Sequence, residues 1–373
     1  MLRLLPTREP FFHQRISAGG TVVPRRLKFS PEKTPLIRIG FFHAGGATDL
    51  LSLRGQQETD RMKNELHPQD DKETIMKRNL PIMAVLDTDT YNEVDDQFAL
   101  AYALLARDAV DLQAVVAAPF SNERAATPEE GMRKSYEEIG RILALFEKDP
   151  AGFAWKGSTG YLPARRTPVE SEGARRIIEL AHIARSRGCK LHVLAIAAIT
   201  NVASALLLDP EIAQDIVIVW LGGNDLRFPR TGEFNLRQDV FAAQVIFDTD
   251  VPLVWMPCRN VVSILDITLP ELRSGLAPAG ELGEFLYSRS EELIAARKIS
   301  SKIIWDISTV AYFSVPQAFR SETISSPVLN DDRSWGTASG RHTITAVVSL
   351  DRDAVFADLF RKLSAFGGKR ENR

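Results

Sequence analysis

From Pro81 onward, short apolar runs rich in β-branched residues alternate with longer stretches in which apolar residues recur at helical spacing. Uninterrupted apolar runs of strand length fit strands buried on both faces, and the helical stretches fit amphipathic helices lying on them. The predicted strands are Ile82 to Leu86, Leu112 to Ala118, His192 to Ala197, Ile216 to Leu221 and Pro252 to Met256. A helix follows the first strand through Phe98, Tyr102 and Leu105. Others cover Pro128 to Phe146, with Met132, Tyr136, Ile139 and Leu143 on one side, and Glu170 to Arg185, with Ile177, Leu180 and Ile183. Two more begin near Asn201 and near Asp239. Beyond Pro257 come helices at Glu281 to Ala296 and Asp306 to Phe313, two strand-like segments and a final helix from Asp351 to Phe366. The expected fold class is α/β, an open and mainly parallel sheet with helices on both faces. No repeat or linker interrupts residues 79–373, which read as one domain.

Residues 1–78 break this pattern. Six basic residues stand against the single acid Glu9 before Ser30, loosely like an organellar targeting segment. Stretches such as Ala18 to Pro24 and Arg61 to Arg78 lack periodicity. A disordered extension, or translation begun upstream of Met62 or Met76, is the preferred reading.

The formal net charge of -2 gives no electrostatic reason to expect a nucleic-acid or acidic-membrane partner, so a small neutral substrate is the better expectation. Only Cys189 and Cys258 occur, without metal-ligand spacing, so neither a disulfide framework nor a zinc site is suggested, and a reducing, cytoplasmic setting is expected. No apolar run approaches the roughly 20 residues that span a bilayer.

The chemistry concentrates in Leu86-Asp87-Thr88-Asp89-Thr90-Tyr91-Asn92-Glu93-Val94-Asp95-Asp96, between the first strand and its helix. Ligands of open α/β sheets bind at the carboxyl ends of strands, where this loop falls. Crowded carboxylates repel one another unless a cation or hydrogen-bond donors intervene. Oxygen ligands without neighbouring His or Cys favour calcium or magnesium, and a flexible many-oxygen shell favours calcium. The plainer alternative is that these acids cap the helix and face solvent, which suits Glu93 and one aspartate.

The segment Asp87-Thr-Asp89 followed by Asp95-Asp96 resembles the Asp-x-Asp-x-x-x-Asp-Asp motif of the inosine-uridine nucleoside hydrolases, with two extra residues inside it. Leu194 to Ala203, containing Thr200-Asn201, is similar to that family's strand-to-helix segment. Trp220-Leu-Gly-Gly-Asn224 resembles its glycine-rich strand end, Gly232-Glu233-Phe234-Asn235 its Glu-Phe-Asn element, and Trp305-Asp306 followed by Val310-Ala311 its late His-Asp segment. Order and spacing hold from about residue 81 to 367.

The resemblance implies a calcium ion held by Asp89, Asp96, Asp306 and the Ile196 carbonyl. It implies Asp95 as general base toward a water held by the ion, and Asp87 as the residue orienting the loop. Asn122, Glu233, Phe234 and Asn235 would contact the ribose; Trp305, read from its own chemistry, offers the aglycone a stacking surface. The expected reaction is hydrolysis of a riboside N-glycosidic bond, and a homo-oligomer is implied by the family.

Three departures qualify the match. Trp305 stands where many members place a histidine, and an indole is no acid at neutral pH. Gly157 to Pro163 replaces a histidine-containing insertion. The longer loop adds Asn92 and Glu93 at the pocket mouth, Glu93 fitting either a recognition group or a solvated acid. Two rival readings follow: a non-catalytic ribose-binding or regulatory protein that keeps the calcium site, and a haloacid dehalogenase-type phosphatase using Asp87 and Asp89. Tyr91 and the Glu-Phe-Asn element argue against the latter. His43, His67 and His182 read as surface or packing residues, Trp220 and Trp255 as core, and Arg341-His342 as part of a hairpin.

Overall fold

The computed structural model describes residues 81–371, with side chains to residue 368, so the expectations for residues 1–78, including His43 and His67, lie outside the described residues. Twelve strands and ten α-helices follow one another in this region. The strands are β1 (Ile82–Thr88), β2 (Val110–Ala117), β3 (Ala154–Lys156), β4 (Leu191–Ala195), β5 (Ile216–Leu221), β6 (Leu253–Met256), β7 (Asp266–Thr268), β8 (Ser301–Ile303), β9 (Phe319–Ser325), β10 (Val328–Leu329), β11 (Trp335–Gly336) and β12 (Thr343–Leu350). The helices are α1 (Asp95–Leu105), α2 (Pro128–Leu145), α3 (Glu172–Ser186), α4 (Thr200–Leu208), α5 (Phe234–Gln238), α6 (Val240–Asp248), α7 (Leu269–Leu276), α8 (Gly280–Arg297), α9 (Ile307–Ser314) and α10 (Arg352–Glu371).

Eight strands form one sheet in the order β3-β2-β1-β4-β5-β6-β12-β9. All neighbours are parallel except the antiparallel pair β12 and β9 at one edge. Alternation along each strand explains why both faces are covered. In β1, Ala84 and Leu86 enter the core formed with α1, α2, α9 and α10, while Met83 and Val85 enter the opposite core with α3, α4 and α6. β5 repeats this, sending Val217 and Val219 one way and Ile218 and Trp220 the other. Trp220 and Trp255 are fully buried, as expected of core residues.

Helix boundaries follow local chemistry. Thr127 caps α2, its side chain accepting from the Glu130 amide, with Pro128 in the first turn. Ser171 caps α3 through the Ala174 amide. Chain order reverses direction in the sheet between β1 and β4, which is the switch point where an open α/β sheet leaves a crevice at its strand ends. The acidic loop leaves β1 at that place.

Candidate active site

Asp87, the penultimate residue of β1, is tied across the switch point. Its Oδ1 accepts from Nδ2 of Asn201 at 2.8 Å, while Oδ1 of Asn201 accepts from the Ser158 amide at 2.7 Å. One asparagine at the start of α4 therefore joins the ends of β1 and β3. Asp87 is fully buried, and burial pushes its carboxyl up to about 7 against the pull of that hydrogen bond. The orienting role expected for Asp87 matches this geometry, since its contacts are to the scaffold.

The loop then turns inward. Thr88 Oγ1 donates to Asp96 Oδ1 at 2.6 Å, and the Asn92 amide donates to the Asp89 carbonyl at 2.6 Å. Asp95 and Asp96 occupy the first turn of α1, where the helix dipole favours negative charge. Asp306 precedes α9 at the N-cap position, yet its side chain makes no capping bond. It points instead toward the loop: ligand oxygens of Asp95, Asp96 and Asp306 all lie within 4.8 Å of one another. Asp89 lies against Asp96, and its Oδ2 is buried without a partner.

Such a group is electrostatically unstable without a cation. Burial, followed by the charges of the neighbouring aspartates, pushes Asp89 and Asp306 well above the usual carboxylate range and Asp96 up to about 7. An all-oxygen donor set with an orphaned carboxylate oxygen fits a hard divalent cation. The Ile196 carbonyl, at the end of β4, faces the same cavity; it accepts from Asn235 Nδ2 at 3.1 Å and keeps a second lone pair.

Sequence reasoning missed Lys302. Its ammonium lies 2.6 Å from Oε2 of Glu93 and 3.1 Å from Oδ1 of Asp95, and Arg297 adds a second cation 2.6 Å from Oε1 of Glu93. Burial alone would depress the Lys302 ammonium, but the charges of Asp95 and Glu93 together hold it above its ordinary value. For Asp95 burial is the larger influence and raises its carboxyl, with Lys302 pulling the other way. Glu93 is neither a solvated acid nor a free recognition group. Despite burial, Lys302 and Arg297 hold its carboxyl below the ordinary value. The only sequence signal was a lysine on the short strand β8, four residues before Asp306.

These groups line a cavity of about 520 Å³, within the range of small-molecule sites. Asn122, Glu233, Phe234, Asn235 and Trp305 all line it. Asn122 Nδ2 donates to Asn92 Oδ1 at 2.7 Å, so the longer loop engages the expected sugar contact. Glu233 caps α5, accepting from the amides of Gly223, Asn235 and Leu236 at 2.7, 2.8 and 3.0 Å. Asn235 Nδ2 donates to the carbonyls of Ile196 and Leu221, leaving its Oδ1 as the amide's free end. The segment Gly157 to Pro163 is held by Asp239 through the Leu162 amide, and it contributes no side chain to the cavity. Arg341 anchors the hairpin region by donating to the carbonyls of Ser326 and Phe247, away from the site.

Residues 84–357 match the family model described as inosine-uridine preferring nucleoside hydrolase. The chain belongs to this family, and it is a hydrolase acting on N-glycosyl compounds. No curated protein sequence matches it. Among solved structures it is similar to a plant nucleoside hydrolase and to an inosine-guanosine nucleoside hydrolase, each with 17% identity, a TM-score of 0.61, and coverage of 76% of this chain and 99% of the other. A purine-preferring ribonucleoside hydrolase from Gardnerella vaginalis covers the same shares at 19% identity and a TM-score of 0.58. At such identities the likeness is one of fold.

Proposed function

We propose that the protein hydrolyses the N-glycosidic bond of a ribonucleoside or related riboside in a calcium-dependent reaction, with Asp95 as the general base. The observation that carries this reading is the convergence of Asp95, Asp96 and Asp306 within 4.8 Å at the switch point, under a cavity of small-molecule size. Asp89, Asp96, Asp306 and the Ile196 carbonyl would hold the ion. When bound, it would supply positive charge that neutralises these acids, acidifies a water and orients vicinal sugar hydroxyls.

The chain's own residues account for the rest. Asp95 accepts the proton of the attacking water, its basicity raised by burial and restrained by Lys302. The C–N bond breaks with positive charge developing on the sugar ring, and the surrounding carboxylates favour that state over the neutral ground state. Asn122 keeps one N–H and Asn235 its Oδ1 for the sugar. Phe234 and Trp305 exclude water from the walls.

One observation favours the second reading, a riboside-binding protein without turnover: the Lys302 ammonium beside Asp95 competes for the electron pair that a base must use. Reducing-sugar release from a panel of ribonucleosides, with and without a calcium chelator, separates the two. Release that stops on chelation and returns with calcium supports the proposal. Riboside binding without release supports the binder.

A further inference from the structure

The cavity is divided by charge. Its floor is made of the buried acids, whereas four exposed arginines, Arg230, Arg237, Arg259 and Arg297, stand at its mouth. Two of these have carboxylate partners: Arg297 pairs with Glu93, and Arg230 pairs with Asp332. Among the described residues no ion pair is formed by Arg237 or Arg259. The nearby Asp225 is taken by Arg227 at 2.6 Å, and the oxygens of Glu233, which lies close to Arg237, already accept three backbone amides.

Arg237 and Arg259 are nevertheless braced. The guanidinium of Arg237 lies 5.2 Å from the ring centre of Phe234, and that of Arg259 lies 5.8 Å from that of Phe228. Both rings line the cavity. A guanidinium resting on an aromatic face keeps its N–H edges free, and that planar fork matches the paired oxygens of a phosphate or carboxylate. Glu123 is the one acid of the mouth outside these pairs, and it is exposed. A neutral nucleoside would leave both braced cations without an acceptor.

We infer that the pocket takes ribosides bearing an anionic group, a phosphate on the sugar or a carboxylate on the aglycone, held at the mouth by Arg237 and Arg259. This rests on the hydrolase reading for the sugar's position, with the anion directed away from the acidic floor. Neutral substrates then lose the two charge-assisted contacts.

The test compares uridine, uridine 5'-monophosphate and orotidine on the full-length protein with calcium present. Reducing-sugar release gives kcat/KM, and calorimetry gives Kd. At low ionic strength at least one anionic riboside is expected to exceed uridine by about tenfold or more in both measures, and added salt should shrink the advantage. A gain confined to the monophosphate locates the anion on the sugar, and a gain confined to orotidine locates it on the base; either supports the inference. In the Arg237→Ala/Arg259→Ala double variant the anionic-to-neutral ratio should fall toward one. Equal handling of all three ribosides, or a ratio that survives the double substitution, overturns it. If no riboside is cleaved, the hydrolase reading fails, while the calorimetric ratio still decides whether the mouth selects anions.

Discussion

Lys302 sets its ammonium 3.1 Å from Oδ1 of Asp95, with about one-twentieth of each side chain exposed, and the same ammonium reaches Glu93. A buried cation is thus shared between the proposed base and an acid of the lengthened loop. Replacing it by methionine leaves Asp95 enclosed without that cation, while Glu93 keeps only Arg297. Breaking a buried pair in this way costs about 3 kcal/mol or more, so Lys302→Met should lower the melting temperature substantially, and Lys302→Arg should recover part of the loss. Thermal unfolding of the three proteins measures this. A Lys302→Met variant as stable as the parent would show that the ammonium contributes nothing at this position.

Without metal, stability should fall as pH rises. Asp87 and Asp96 have carboxyls raised to about 7, and those of Asp89 and Asp306 are also raised, by burial and then by the neighbouring aspartates. A raised folded-state value means the contribution is present below the unfolded value near 4 and is lost as pH climbs through the folded one. His192, buried and lowered to about 4, acts the other way, losing stability as pH falls from about 6.5. The several carboxyls outweigh one histidine. Chelated protein should therefore melt higher at pH 5.5 than at pH 8, while calcium should raise the melting temperature most at pH 8. Melting curves at the two pH values, with chelator and with calcium, settle the sign; a chelated protein more stable at pH 8 would contradict this account of the acidic cluster.

The fold was largely readable because buried parallel strands need uninterrupted apolar runs, and Ile216 to Leu221 is such a run to the residue. β3 escaped notice because its three residues, Ala154–Lys156, carry too little pattern to stand out. α5 escaped for a different reason: it has only five residues, and its cap is a glutamate where Ser, Thr, Asp or Asn is the usual signal. The acidic loop was visible as a local crowd of carboxylates. Its electrostatic counterpart was not, since Lys302 lies 209 residues from Glu93 and only the fold brings β8, paired with β7, to the acidic loop. Nothing in the sequence singles out Arg237 or Arg259, because only the fold brings them to one cavity.

Removing the proposed base tests the chemistry with little structural disturbance. Asp95→Asn preserves shape but cannot take a proton, so kcat should fall by about 10² to 10⁴ while riboside still binds. It also removes a charge that Lys302 faces, so its stability should be measured alongside. Steady-state kinetics with calorimetry gives both parts. Unchanged turnover would remove Asp95 from the base position.

The final expectation concerns the departing base. Trp305 lines the cavity where a histidine was looked for, and among the described residues no histidine lines the cavity at all. Its indole can stack on an aromatic aglycone but cannot donate a proton to it at neutral pH. Of the other candidate donors, the raised aspartates are the proposed ion ligands and Glu233 spends its oxygens on three backbone amides. Cys258 is buried beside the cavity with its thiol held well above the usual range by burial and by the nearby charge of Glu233, and arginines do not give up their protons. Turnover should therefore track leaving-group quality, with p-nitrophenyl riboside cleaved far faster than inosine or uridine. Trp305→Ala should chiefly raise KM for aromatic ribosides, whereas Trp305→His should raise kcat for ordinary nucleosides more than for the activated one. Comparable kcat/KM for inosine, uridine and p-nitrophenyl riboside in the parent protein would mean that a proton donor does act in this site, and Trp305 would then be a binding wall with no bearing on the chemistry of departure.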